Sequence, residues 1–208
     1  RLSLVGSEMC IRDSCSTVPM AMISSLNDWN RPMASYKETF SAYYDALTED
    51  VDRAVIADRC EELLAQYHPK RELALDLCCG TGTLATELAR RGFEVIGVDV
   101  SPEMLMQAAE KNMALEQPVL YLCQPLEQLD LYGTVDLAVC TLDSLNHLPG
   151  KKALQKALHR LQFFVEPGGL FLFDVNTPYK HREVLGNNCF VRESEALFCV
   201  WQKEYTPE

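Results

Sequence analysis

The sequence predicts an α/β fold: a mainly parallel sheet with helices on both faces. Two observations predict it. From residue 73 onward, short apolar runs of strand length alternate with segments of helical period, the order that builds strand–helix–strand units. Between the first such run and its helix stands Gly80-Thr81-Gly82, a turn in the place where an open sheet of this kind receives ligands. The 208 residues suit one domain, large enough to bury roughly 70% of the unfolded surface.

Taken in order, the elements begin after an ambiguous start. Residues 1–14 (RLSLVGSEMCIRDS) open on Arg and carry no period that continues into residues 15–34. They look like translated sequencing-adapter sequence, so residues 1–34 are expected to be unstructured or foreign. The folded domain is expected over 35–208. Tyr36, Phe40, Tyr43, Tyr44 and Leu47 recur at helical spacing. A second helix is predicted over about 51–67, with Val55, Ile56, Leu63 and Leu64 as its stripe. It ends at His68-Pro69, since the residue before proline is pushed out of the helical region.

Leu73–Cys78 reads as a strand, followed by a helix to Arg91 that uses Leu84, Ala85, Leu88 and Ala89. Phe93–Val98 is the next strand. Ser101 then supplies an N-cap, Pro102 tolerates the first helical position and Glu103 suits the positive helix end, with the helix running to about Met113. Pro118–Leu122 and Val135–Cys140 are further strands. A helix over about 151–165 uses Leu154, Leu158, Leu161 and Val165. Glu166-Pro167-Gly168-Gly169 is predicted to turn the chain into a fifth strand at Leu170–Val175, and Ala196–Tyr205 alternates as a strand does.

Composition narrows the partners. Acidic side chains outnumber basic ones thirty to nineteen, for a net charge of −11, a surface that repels phosphate backbones, so nucleic acid is not an expected partner. The cluster Lys151, Lys152, Lys156, His159 and Arg160 lies along one predicted helix and reads as its solvated face. No apolar run approaches the ~18–20 residues that span a membrane. The nine cysteines lack metal-site spacing, Cys78 and Cys79 being adjacent. No metal is expected, and reduced thiols point to a cytoplasmic location.

The chemistry concentrates in residues 73–103. A strand ending Asp76-Leu77-Cys78-Cys79-Gly80-Thr81-Gly82 turns sharply into a helix whose first N–H groups are free. Asp99 ends the next strand, where a carboxylate can accept hydrogen bonds from a ribose diol. The string Gly80-Thr-Gly82-Thr-Leu-Ala85 also fits a dinucleotide fingerprint. Asp76 argues against it, because a carboxylate there repels a pyrophosphate yet can meet an ammonium. Met104, in Asp99-Val-Ser-Pro-Glu-Met104, can lie under an adenine.

Here the chain resembles the class I S-adenosylmethionine-dependent methyltransferases. The residues that carry the resemblance are LDLCCGTGTLA (75–85), VIGVDVSPEML (95–105), VDLAVCTLDSLNHL (135–148) and LQFFVEPGGLFLFDVNTP (161–178). Within that superfamily it is similar to small-molecule enzymes, the glycine and sarcosine N-methyltransferase branch included. The resemblance implies a Rossmann-like three-layer sandwich and S-adenosylmethionine as cofactor. Asp76 and the Cys78, Gly80, Thr81 and Gly82 backbone would hold the methionine moiety and Asp99 the ribose. Val100 and Met104 would flank the adenine, and Thr141 and Leu142 would line the pocket near the sulfonium. Tyr44 would close over the cofactor.

Pro125 occupies the place of the family's usual acidic adenine contact, leaving Gln124 or a backbone group near Leu126 to substitute. The family fold also ends in a helix and reversed hairpin that residues after Tyr205 do not supply. An incomplete domain is therefore expected, with an exposed sheet edge open to self-association.

The predicted reaction is in-line transfer of a methyl group to a small-molecule amine or hydroxyl. His147 is the first candidate for a general base, and Tyr44 the second catalytic candidate. Asp143 and Asn146 share the His147 loop, and Asn176 and Tyr179 follow the fifth strand. A binding module without catalysis is the alternative, as is an inactive fragment.

Overall fold

The computed structural model describes residues 7–13, 21–23, 38–67, 72–193, 197–203 and 205. In chain order the strands and helices are β1 (Ser7–Asp13), β2 (Ala21–Ile23), α1 (Glu38–Leu47), α2 (Arg53–Tyr67), β3 (Leu73–Leu77), α3 (Thr83–Arg90), β4 (Glu94–Asp99), α4 (Pro102–Asn112), β5 (Leu120–Cys123), β6 (Val135–Cys140), α5 (Lys151–Leu161), β7 (Val165–Phe173), β8 (Asn188–Glu193) and β9 (Leu197–Lys203). They divide into two compact units, residues 35–175 and residues 1–34 with 176–208.

The 35–175 unit is the predicted α/β sheet. Its strands run in the order β5-β4-β3-β6-β7, and every neighbouring pair is parallel. The strand order reverses at β3, so the ends of β3 and β6 diverge into the crevice where such sheets bind ligands. Period-two alternation assigns the faces. Ala74, Leu137 and Val139 point to one side and pack with Ala57, Cys60 and Leu64 of α2 and Leu84, Ala85 and Leu88 of α3. Leu75, Leu77, Ala138 and Cys140 point to the other, against Ala157 and Leu161 of α5 and Leu126 and Leu129. By the same alternation Asp76 shares the α3 face.

Several elements depart from the sequence expectation. In α2 the buried positions are Ala57, Cys60 and Leu64, while Val55 is 59% exposed. Small side chains let α2 approach α3, where Arg91 joins Glu87, Asp58 and Glu61. In α5, Ala157 and Leu161 are buried and Leu158 faces outward. The 166–169 segment is a bulge inside a continuous β7: register slips between Val135 and Leu137, Gly168 has φ +87°, and a Cβ on Gly169 would lie 2.9 Å from the Asp136 carbonyl. The same residues that make turns also make bulges. Tyr36 and His68-Pro69 lie outside the described residues.

The other unit is a four-stranded antiparallel sheet, β2-β1-β9-β8. Within the 1–34 segment expected to be unstructured or foreign, Ser7–Asp13 pairs in seven-residue register with Leu197–Lys203. An extended edge strand satisfies its backbone groups by recruiting another. The strand expected at Ala196–Tyr205 is β9, which pairs antiparallel with β1 and β8 in this sheet. A π-helical turn at Lys180–Leu185 precedes β8. Asn176 is buried and Tyr179 exposed within this unit. Among the described residues no helix is long and apolar enough to cross a membrane.

Candidate active site

The loop after β3 is built by left-handed backbone. Cys78, Gly80 and Gly82 have φ of +55°, +54° and +72°. The Cys79 amide donates to the Val98 carbonyl (3.0 Å), the Gly82 amide to Cys79 (2.9 Å), and the Thr86 amide to Gly82 (2.8 Å), which starts α3. Gly82 has no room for a side chain: a Cβ there would overlap Tyr121 Oη and lie 2.9 Å from Ala108 Cβ. A non-glycine residue at φ > 0, as at Cys78, is uncommon and collects at functional sites.

Two buried carboxylates frame this loop. Asp99 accepts from the Gly80 amide through Oδ2 (2.8 Å) and from the Ser101 amide through Oδ1 (2.8 Å). A third amide, that of Val100, also acts on Asp99, whose carboxylate keeps acceptor capacity beyond its three backbone donors. Burial raises its carboxyl above the usual range, against the pull of those amides. Asp76 is 2% exposed, and its Oδ2 has no hydrogen-bond partner. Burial, then the Asp99 charge, push its carboxyl up to about 7, although the Ala85 amide and the Arg53 charge act the other way.

The β6 end carries the second strained stretch. Leu142 and Asp143 have φ of +58° and +50°. The Asp143 amide donates to Asp174 Oδ2 (2.7 Å), and Ser144 Oγ to the Thr141 carbonyl (2.7 Å). A 3-10 turn follows over Ser144–His147. It leaves the His147 ring half exposed, with Nε2 3.8 Å from Asp143 Oδ2.

Helix α1 supplies the facing wall. Tyr44 packs edge-on to Phe40, with centroids 5.7 Å apart, and Tyr44 Cε1 lies 3.7 Å from where a Gly80 Cβ would sit. Burial pushes its phenol up to about 12, so Tyr44 is protonated at neutral pH and can donate a hydrogen bond. Arg53 opens α2; its Nη1 donates to the Thr48 and Val51 carbonyls (2.6 and 2.7 Å) and its Nη2 to Thr48 Oγ (2.9 Å).

One cleft gathers these groups. Tyr44, Arg53, Asp76, Cys78, Cys79, Thr81, Thr83, Leu84, Thr141, Leu142 and Ser144 line it. The structure therefore brings together Tyr44, Asp76, Cys78, Thr81, Thr141 and Leu142 of the predicted residues, with Gly80, Gly82 and Asp99 shaping the loop. His147 is not among the lining residues. On the expected adenine side, Val100 is 37% exposed and Met104 only 1%, its side chain inside the fold. Gln124 spends its amide on the Asp130 backbone, Nε2 donating to the carbonyl (3.3 Å) and Oε1 accepting from the amide (3.2 Å). Leu126 is buried in the second core. Sequence reasoning missed Arg53, Thr83 and Ser144, for which the only local signal was hydrogen-bonding capacity next to a turn.

Comparison with known proteins places the chain among methyltransferases. A family profile described as a methyltransferase domain matches residues 74–169. The chain is 33% identical over 164 residues to YqeM of Bacillus subtilis (strain 168), provisionally named a methyltransferase, across 78% of this chain and 64% of that protein. A crystal structure of an S-adenosylmethionine-dependent methyltransferase from Clostridium acetobutylicum matches with TM-score 0.73 and 30% identity, over 83% of this chain and 70% of that one. A glycine/sarcosine N-methyltransferase of Parasynechococcus marenigrum is 26% identical over 188 residues, 88% of this chain and 65% of that protein. The chain thus spans just under two thirds of the length of the two curated relatives.

Proposed function

The chain belongs to the S-adenosylmethionine-dependent methyltransferases, and on that premise we propose that it binds S-adenosylmethionine at the loop after β3 and transfers the methyl group to a small-molecule amine or hydroxyl. The observation that carries this reading is Asp76 Oδ2, a buried carboxylate oxygen without a hydrogen-bond partner in the wall of the cleft. A buried unpartnered acceptor is costly and wants a donor. The ammonium of an amino-acid moiety is such a donor, and the Arg53 guanidinium in the same cleft suits the matching carboxylate. Asp99 keeps lone pairs for ribose hydroxyls. These residues fit the cofactor.

When bound, the cofactor supplies a methyl group already activated by the sulfonium charge. The chain's own part is orientation and exclusion of water. Asp76, Arg53 and Asp99 fix the cofactor ends. Tyr44, neutral and set over Gly80, walls the cleft and donates a hydrogen bond to its contents. A neutral amine acceptor needs no base. For a hydroxyl acceptor, His147 would take the proton only of a group held beside the Ser144–His147 turn, outside the cleft lining.

Calorimetry with S-adenosylmethionine and S-adenosylhomocysteine tests the binding, and methyl-labelled cofactor offered with a panel of amines and hydroxyl metabolites tests the transfer. Binding followed by label on an acceptor is expected. Binding without transfer across the panel would recast the chain as a non-catalytic module, and no binding would remove the reading altogether.

A further inference from the structure

The glycine loop is held from outside as well as by its own turn. Thr81 Oγ donates to Asp45 Oδ1 at 2.5 Å, and Thr83 Oγ donates to the same oxygen at 3.0 Å. Lys111 Nζ, on α4, donates to the Thr81 carbonyl and to Thr83 Oγ, both at 2.8 Å. It also pairs with Asp45 Oδ2 at 2.6 Å. Thr83 Oγ therefore donates a hydrogen bond to the acid and accepts one from the ammonium. Four side chains from α1, the loop with the start of α3, and α4 close into one network.

We propose that Asp45 and Lys111 are positioning residues: together they form an ionic latch that seats α1 on the glycine loop and so holds the cofactor cleft in its binding shape. This rests on the reading of that loop as the cofactor site. The loop's turn is already made by the Gly82–Cys79 and Cys79–Val98 backbone bonds, so the latch adds position and not fold. The residue before Asp45 is Tyr44, which walls the cleft over Gly80. Where α1 sits therefore decides where that wall stands. A half-exposed ion pair by itself contributes little. Here each charge also holds loop groups, Asp45 both threonine hydroxyls and Lys111 the Thr81 carbonyl and Thr83 Oγ, so losing either charge frees a group of each threonine.

The test compares Asp45→Asn and Lys111→Met with wild type and with Glu62→Gln, which breaks a surface ion pair on α2 outside the site. Two quantities are read. One is amide hydrogen exchange over residues 79–86 in the ligand-free chain; the other is the dissociation rate of S-adenosylhomocysteine. In both latch variants exchange over 79–86 is expected to rise about tenfold, with other segments unchanged, and ligand release to quicken about tenfold. Lys111→Arg, which keeps the cation, is expected to recover most of both, and Glu62→Gln to move neither.

Should Asp45→Asn fail to fold, Thr83→Val removes the shared hydroxyl alone and is expected to raise both readouts about threefold. Wild-type exchange and release rates in the latch variants would overturn the latch while leaving the cofactor reading intact. Failure of the wild-type chain to bind the ligand would overturn the cofactor reading, and the positioning role with it.

Discussion

Asp76→Asn separates two consequences of one buried acid. In the fold its carboxyl is pushed up to about 7 from an ordinary 3.8, chiefly by burial. Between those values the native state holds a proton that the unfolded chain has lost. Stability therefore falls as pH rises through that window, and the loss continues until the native carboxyl also ionises. Integrated from pH 5 to pH 8, this one group removes about 2–3 kcal/mol of unfolding free energy. Asparagine keeps an oxygen for the Ala85 amide and has no charge to bury, so the variant should lack that portion of the slope. Denaturant titrations of both proteins at pH 5, 6, 7 and 8 measure the difference.

Cofactor binding should show the opposite sign, because an ammonium beside Oδ2 favours the ionised acid. Wild-type affinity for S-adenosylmethionine is expected to improve about tenfold between pH 5.5 and 7, and that of Asp76→Asn to stay flat and weaker. A stability slope identical in the two proteins would refute the buried-charge argument. A flat wild-type affinity would refute the ammonium pairing.

Three further outcomes rest on the same geometry. Asp99→Ala should weaken cofactor binding by about 1.5–3 kcal/mol, and it should also destabilise the ligand-free protein, because the Gly80 and Ser101 amides lose their acceptor; equal stability by denaturation would remove Asp99 from its role as a strut. Gly82→Ala should cost more than the ~1 kcal/mol of left-handed strain alone, since its Cβ meets Tyr121 Oη. Adding Tyr121→Leu should return part of the loss, and no return in a double-mutant cycle would exclude that clash. His147→Ala should leave the calorimetric affinity for S-adenosylmethionine unchanged, since His147 lies outside the cleft lining; a fall of tenfold or more would place it on the cofactor.

What was legible in the sequence was local. Ser101-Pro102-Glu103 spelled out the start of α4, and Ser101 Oγ does accept from the Met104 amide at 3.2 Å. The Gly-Thr-Gly turn was legible because its conformational demand falls on residues that announce it. Leu142 and Asp143 meet the same left-handed demand without glycine, so their backbone conformation went unannounced. Asp45 reaches Thr81 across 36 residues and Lys111 reaches Thr83 across 28; pairs so distant exist only once the sheet has folded. Met104 is 1% exposed, a burial the sequence did not announce, because a methionine near a predicted adenine site and a methionine in a core have the same sequence signature. The 166–169 bulge misled because Pro-Gly-Gly serves a turn and a bulge alike.

The titrating groups of the cleft share one tendency, and it bears on which cofactor the loop can hold. Tyr44 is pushed up to about 12 and Asp76 to about 7, while Asp99 and the Cys78 and Cys79 thiols also move upward. Burial leads in each except Cys78, where the hydrogen bond with Cys140 comes first, and neighbouring acids add to all but Asp99. The site thus resists further negative charge. Arg53 is the cation of the lining, and its donors are partly spent on the Thr48 and Val51 carbonyls. A pyrophosphate entering this cleft would bring its negative charges beside Asp76, with Arg53, the one cation among the described lining residues, to offset them. A sulfonium with an ammonium beside it would instead offset the acid charges that add to burial at Tyr44, Asp76, Cys78 and Cys79. The glycine pair suits either ligand; the acids around it weigh against a pyrophosphate.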